Sequence, residues 1–494
     1  MDDQLSQPAL NRSLGVVDGV VIAASSTAAT TSIAIGTGVL ASIVGRQVPI
    51  LLFLAFLPIL GIAGAYARLN RSEQNCGAGY TWVGRTMGPW LGFLAGWIPV
   101  AGTVIFLAYT TAITGSLLIQ SAEKLGFTAL DPNSTAQCTA LGLVVLALLT
   151  WTAVLGVSHA ARFQKYLLVF EYVVLAVFCG WGLVVGDQDF SLSWLNPFAI
   201  GSASALAQGL VLAVFFFWGW DSAFSVTEET RHPGDAARGG YIALFTMLGL
   251  FLLGAVAFQR VMSTDELVAN GAQGLTYFGA KLAPEPWATL PLLALMFSAV
   301  ASVQAGVIPT ARLALAMSRD RTLGPIWARL SRRGTPAAGT IVMAVIAGFV
   351  AVLAFAIPTL SEAILAAVNT IGLLVALYYG LTAITAAIRF RGLLRSGLRE
   401  ALGAVLVPLV SGILLLALGV YLAGYYATLS SEWAIGADNG WFSLAAPAVV
   451  LLLGLGVAAV AKWRRRSPYF ARRPVDPADP VAPVAPAAPA PDLT

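Results

Sequence analysis

Charge is what this sequence has least of: Asp, Glu, Lys and Arg together make up 11% of its residues, while 58% are hydrophobic and mean hydropathy is +0.81. A soluble domain carries about a quarter of its residues as charges. A soluble globular fold is therefore excluded, and a polytopic all-α membrane protein is expected. Histidine is limited to His159 and His232, both at helix ends. Cysteine is limited to Cys76, Cys138 and Cys179, which the spans below place on the inner side, on the outer side and within the fifth span, so no two can pair. These scarcities exclude a Cys/His metal site. No nucleophile stands with a base, and no paired carboxylates share a depth, so no enzyme is expected. The small basic excess, net +4, follows from charge collected on one side of a membrane and requires no nucleic-acid partner. No short apolar stretch ending in a small-residue cleavage site opens the chain, and the first hydrophobic segment is expected to be retained as a span.

What is abundant is long apolar sequence. Windows of about 20 residues, enough to cross a hydrocarbon core of roughly 30 Å, fall at 15–37, 48–67, 90–120, 137–158, 163–186, 205–227, 239–261, 287–316, 338–357, 364–388, 401–426 and 443–461. Twelve transmembrane helices are expected, and with the N-terminus inside, all of the 28 Lys and Arg except Arg46, Lys124, Arg260 and Lys281 lie on the inner side. The few Lys against many Arg and Ala suggest a bacterial genome, so the expected location is a bacterial plasma membrane with both termini cytoplasmic. Short loops argue for one membrane domain. Residues 1–14 are expected to form a cytoplasmic tail, 15–390 a ten-helix core, 401–463 two further spans, and 464–494 a basic and then Pro/Ala-rich disordered cytoplasmic tail. The basic run Lys462–Arg466 ends the last span as a stop-transfer anchor or as a contact for anionic lipid.

Two spans carry interruptions. FFFWGWDSAFSVTEETRHP, residues 215–233, sets Gly219 and the carboxylate of Asp221 in the middle of the sixth span. An ionisable residue at that depth must face protein, water or a ligand and is a functional candidate. Backbone opened at Gly219 is tolerated only where it lines a cavity. The first span holds a hydroxyl-rich run from Ser25 to Ser32 near mid-membrane, where side-chain hydroxyls can replace lost backbone bonds. If the first ten spans are two units of five, the odd number inverts the second unit and makes spans 1 and 6 equivalent. Matched breaks in two halves point to a midplane binding site. The candidate substrate-binding residues are therefore Ser26, Thr27, Thr30, Thr31, Trp218, Gly219, Trp220, Asp221 and Ser222. Trp218 and Trp220 can stack on a cation, act as a gate or simply fill space. Asp221 can also cap the inner half-helix. Glu171 follows Arg162 by nine residues and so sits roughly 14 Å deep in the fifth span. Ser298 and Ser302, one turn apart, are open to sodium coordination or to close helix packing. Glu228 and Glu229 are expected to lock the inner side by pairing with Arg12, Arg162 or Lys165, or else to form a solvated loop.

Three stretches resemble the amino acid-polyamine-organocation permease superfamily, and the resemblance covers about 15–470: WGWDSAFSVTEETRHP at 218–233, GAGYTWVGRTMGPWLGFLAGW at 77–97 and TARLALAMSRDRTLGPIWARLSRRGTP at 310–336. The resemblance implies a five-plus-five inverted-repeat fold with helices 1 and 6 broken and spans 11 and 12 outside the core. It implies a secondary transporter that imports a small amino acid, polyamine or related amine by alternating access, with an exchanger or a transporter-like sensor as alternatives. Acidic residues at the place of Asp221 are associated in that superfamily with amine binding or proton coupling. A lysine stands at the place of Glu171 in proton-coupled relatives, so Asp221 and Glu171 are the expected proton-coupling residues. The driving ion is expected to be H+, with Na+ as the other candidate and no cofactor. Many relatives have a glycine-rich break in helix 1 that cups a carboxylate, whereas this chain has Ser26 to Ser32. An anion on the half-helix beginning near Ser32 and an ammonium between the half-helix ends both remain open. The oligomeric state is open as well.

Overall fold

The computed structural model describes residues 10, 12–155, 157–332, 334–353, 360–429 and 440–472. Most of the expected N-terminal tail, the end of the ninth expected span at 354–357, and residues 473–494 lie outside them. Among the described residues the regular structure is helical: α1 (Val16–Thr27), α2 (Ala29–Val44), α3 (Val48–Ser72), α4 (Gly79–Met87), α5 (Pro89–Lys124), α6 (Thr135–Leu155), α7 (Val157–Val185), α8 (Ala203–Phe216), α9 (Ser222–Ser225), α10 (Asp235–Val261), α11 (Thr264–Ala269), α12 (Gly274–Leu282), α13 (Thr289–Arg319), α14 (Ala337–Leu353), α15 (Leu360–Arg389), α16 (Leu398–Ala401), α17 (Val407–Tyr426) and α18 (Gly440–Trp463). Among the described residues nine helical runs are long and apolar enough to cross a membrane by length and composition, with Val16–Ser72 counted as one run. The apolar helices α8 and α14 are shorter. The chain is a multi-pass helical membrane protein.

Which helices face lipid follows from what they expose. Leu148 of α6, Val420 of α17 and Leu452 of α18 are 61%, 74% and 66% exposed. Such an apolar belt is costly in water and suits hydrocarbon. By contrast, 78% of the apolar window of α13 is buried, and this helix runs through the middle of the bundle against α1, α5 and α7.

The first interruption is narrower than the hydroxyl-rich run suggests. It is the single residue Ala28, at φ 50° and ψ 53°, between α1 and α2. Backbone bonds from Ala28 N to Ser25 O (3.2 Å) and from Ser32 N to Ala28 O (2.9 Å) hold both sides of it. One hydroxyl replaces a lost backbone bond, since Ser32 donates to the Thr27 carbonyl at 3.3 Å, while Thr27 donates back into α1, to the Ala23 carbonyl at 3.0 Å. The second interruption is wider, running from the end of α8 at Phe216 to the start of α9 at Ser222. Gly219 takes φ +114°, and a Cβ there would stand 2.7 Å from the carbonyl of Ser26. The two breaks thus lie backbone against backbone. A glycine is required both by the positive φ and by that approach.

Two ends of the molecule can be told apart. At the proximal end Leu14 pairs with Thr230 in a parallel bridge. At the distal end α11 and α12 lie across α2, and a Cβ on Gly38 would come within 2.4 Å of the Leu267 carbonyl. The capping box of α11, Ser263 with Glu266, starts this distal cover, and Lys281 ties it by reaching Glu266 at 2.7 Å.

Residues 467–472 fold back onto the proximal end, where Ser467 donates to the Asp320 carbonyl at 2.5 Å and Arg472 pairs with the Asp320 carboxylate at 2.7 Å. Tyr469 stacks on Tyr80 at 4.6 Å between ring centroids. Its hydroxyl enters the crossing of Gly84 and Gly92, where a Cβ on either glycine would come within 2.3 Å of it. Composition gave no warning of this, because the docking partners lie far away in sequence.

Candidate functional site

The helix breaks border a central cavity of about 540 Å3, to which Ser26, Thr27, Thr31 and Ser32 contribute from α1 and α2. Phe106, Tyr109 and Thr110 of α5 line it, as do Phe215, Phe216 and Trp218 around the second break. Asn270 and Gln273 of the distal cover and Ser302 of α13 complete its polar surface. Among the described residues, all that line it are uncharged. A smaller cavity of about 50 Å3 lies behind Trp218, lined by Ser26, Gly219, Asp221, Ser222 and Tyr378. Ser26, Phe106 and Trp218 border both spaces, so the indole stands between the larger cavity and the carboxylate.

Trp218 is fixed in that position. Its Nε1 donates to the Tyr378 hydroxyl at 2.9 Å, and its ring packs against Phe106 and Phe215, each at 5.8 Å. Tyr378 in turn donates to Asp221 Oδ2 at 3.1 Å, and Tyr379 donates to Asp221 Oδ1 at 2.8 Å. Asp221 occupies the residue before α9, yet its side chain makes no capping bond there. Both carboxylate oxygens are committed to tyrosines of α15 instead. Charge-assisted bonds of this kind are stronger than neutral ones, about twofold.

Two expected site residues face elsewhere. Trp220 is fully buried and borders neither cavity; it sits in an aromatic box with Tyr66 at 5.2 Å, Phe224 at 5.8 Å and Tyr379 at 6.0 Å. The alternation along the break turns Trp218 to the cavity and its neighbour but one to the core. Thr30 is also fully buried and turned towards α7, where it meets Glu171. Glu171 itself is 1% exposed, with the Ser298 and Thr30 hydroxyls beside it. Its Oε2 and the hydroxyl oxygens of Ser298, Thr30, Thr31 and Ser25 have no hydrogen-bond partner among the described residues. A buried carboxyl flanked by unmatched donors and acceptors has a cost that a protein seldom bears without use.

The proximal end is closed by two ion pairs, though not with the expected partners. Glu229 pairs with Arg312 of α13 at 2.7 Å, with side chains 3% and 1% exposed. Glu228 pairs with Arg319 at 2.8 Å and accepts the Cys76 N–H at 2.9 Å. Burial pushes the Glu228 carboxyl up, but Arg319 and the Cys76 N–H outweigh it and hold it below the usual range. Arg12, Arg162 and Lys165 are replaced in this role because α13 ends directly beneath the second break and delivers Arg312 and Arg319 one above the other.

A family model described as amino acid permease matches residues 23–453. The chain belongs to the amino acid permease family. It is thus a member of the amino acid-polyamine-organocation superfamily that the three motifs resemble, a family of transporters and not of enzymes. This permease is 25% identical over 303 residues to the low-affinity putrescine importer PlaP of Escherichia coli, covering 57% of its own chain and 62% of that protein. It is 25% identical over 313 residues to the branched-chain amino acid permease BcaP of Lactococcus lactis, covering 58% of its own chain and 64% of the relative. It is 26% identical over 301 residues to the human large neutral amino acids transporter small subunit 2, covering 59% and 55%. The match spans less than two thirds of the length of each of these relatives.

Sequence reasoning missed the tyrosine pair that holds Asp221, the aromatic wall of α5 and the Arg312 anchor. Two adjacent tyrosines, Tyr378 and Tyr379, in an otherwise aliphatic span were the available signal. Phenolic hydroxyls at that depth need a partner, and Asp221 is the acceptor that meets this need.

Proposed function

We propose that this permease is a secondary transporter that imports an amino acid or related amine across a bacterial plasma membrane by alternating access, with proton coupling. The observation that carries this reading is the cavity set directly against two helix breaks that touch each other. Counting Val16–Ser72 as two crossings parted at Gly45, and adding α8 and α14 to the other long runs, gives the twelve spans of a five-plus-five core with two helices outside it. The basic proximal end then faces the cytoplasm, with the Glu229–Arg312 and Glu228–Arg319 pairs closing the inner route.

The cavity lining favours a neutral amino acid with an apolar side chain over a polyamine. An uncharged, largely apolar wall leaves a second or third ammonium without a counter-charge, at a desolvation cost of several kcal/mol per ion. The hydroxyls and the backbone of the break at Ala28 take the polar head of the ligand, and Trp218 forms the floor. Asp221, set behind Trp218 and bonded to Tyr378, acts on the ligand through the indole's position. Glu171, in its pocket of unmatched hydroxyls between α1, α7 and α13, is the coupling carboxyl, with a proton as the ion and sodium as the other candidate.

The test is uptake by the purified full chain in sodium-free proteoliposomes, offered labelled leucine, phenylalanine, alanine and putrescine with and without an inside-alkaline pH gradient. Gradient-driven accumulation of leucine or phenylalanine is expected. Glu171→Gln is expected to abolish the response to the gradient while leaving exchange against preloaded ligand. Accumulation that depends only on preloaded ligand, with or without Glu171, would replace symport with exchange.

A further inference from the structure

A second cavity, of about 240 Å3, adjoins the central one on the side of α17. Val39 of α2, Leu212 and Phe215 of α8 and Val368 of α15 border both, so apolar residues part the two cavities. Beyond that partition the wall changes character. Gln208 and Asn369 bring two side-chain amides, and Tyr425 and Tyr426 of α17 close the far side. Side chains held by packing alone can change rotamer, whereas Trp218, on which Phe215 of the partition stacks, is locked by its bond to Tyr378. The central cavity therefore has one wall that can yield.

We propose that the second cavity is a subsite for the far end of an elongated ligand whose polar head occupies the central cavity. This rests on the central cavity being the substrate site. The class of ligand is a neutral α-amino acid whose side chain carries a second aryl ring, or an alkyl chain of similar length, joined through an ether oxygen. An apolar cavity of about 150 Å3 holds a benzene molecule, so the space beyond the partition is large enough for one ring. The amides of Asn369 and of Gln208, whose Nε2 also donates to Ser204 at 2.9 Å, then meet the ether oxygen, and Phe215 stacks along the tail as it passes. Helix α17 thereby contributes to ligand discrimination although it lies outside the ten-helix core.

Gly372 of α15 makes the test specific. It borders the second cavity and not the central one, and a Cβ there would meet only Val211 Cγ1, at the ordinary contact distance of 3.9 Å. A larger side chain can therefore grow into the second cavity. The experiment measures inhibition of labelled phenylalanine uptake by unlabelled phenylalanine and by O-benzyltyrosine, in the wild-type chain, Gly372→Ala and Gly372→Leu. In the wild type O-benzyltyrosine is expected to inhibit at a concentration no higher than phenylalanine itself. The ratio of the two half-inhibitory concentrations is expected to rise about tenfold in Gly372→Leu and less in Gly372→Ala. Reading the ratio within each variant cancels a general change in activity or folding. If phenylalanine inhibits and O-benzyltyrosine does not, or if the ratio is the same in all three proteins, the second subsite is overturned while the central site stands. If neither compound inhibits and phenylalanine is not taken up, both readings fall.

Discussion

At position 219 hydrogen is the largest side chain that fits. The positive φ strains any other residue, and a methyl group would press on the Ser26 carbonyl at 2.7 Å. Replacing Gly219 by Ala is expected to cost about 1–3 kcal/mol of stability and to abolish uptake, because the two breaks must separate to admit the methyl group. Thermal unfolding of the detergent-purified protein measures the first effect and proteoliposome uptake the second; a variant with unaltered uptake would remove the close approach from the mechanism. Gly219 and Asp221 were legible in sequence because an opened backbone and a charge inside a span are both costly unless they line a cavity or meet a partner. The role of Asp221 was not legible in full. Its oxygens are taken by hydroxyls 157 and 158 residues away, and nothing local distinguishes a carboxylate that caps a helix from one that holds two tyrosines. Trp218 and Trp220 show the same limit: they look equivalent in sequence, and packing sends one to the cavity and the other into the core.

At the scale of elements, the distal cover is held by an electrostatic clasp with a definite pH range. The Glu266 carboxyl is drawn down to about 2, first by the Lys281 side chain and then by the Ser263 N–H and the Tyr277 hydroxyl. Burial opposes the charge on Lys281, but Glu266 outweighs it and raises the ammonium above its ordinary value. A depressed carboxyl contributes stability that is complete above its unfolded value, near 4.5, and is lost as the pH falls towards 2. The difference in unfolding temperature between the wild type and Glu266→Gln is therefore expected to be constant from about pH 6 to 9 and to shrink below about pH 4.5. A difference that widens on acidification would contradict the assignment. The helices themselves were largely legible, since runs of about 20 apolar residues have one common solution in lipid. The short α11 and α12 were not, because their role depends on where they land. The first break was overestimated for a related reason: hydroxyls mark a place where a helix can open, and a single left-handed alanine was sufficient to bend it.

For the molecule as a whole, the early and late parts of the chain meet at one proximal corner. Tyr80, Gly84 and Gly92 receive Tyr469, while Asp320 receives both Ser467 and Arg472. Tyr469→Ala removes the ring stacked on Tyr80 as well as the hydroxyl in the glycine crossing and is expected to lower stability by about 3 kcal/mol, in line with truncation of other buried aromatic residues. The cost is expected to be largely recovered in Tyr469→Phe, which keeps the ring stack; thermal unfolding of the two variants checks this, and equal losses would place the effect in the hydroxyl alone. Charge asymmetry made one end of the molecule legible as basic, but the docking of residues 467–472 was hidden because low-complexity sequence follows directly. The slot between Gly84 and Gly92 also has a consequence for biogenesis. It is made while most of the polypeptide is still unsynthesised and stays vacant until the ribosome has added nearly four hundred further residues. A product released early, or one whose last helix fails to insert, would thus display an unfilled groove at this corner, giving quality-control proteases a physical mark of an unfinished molecule.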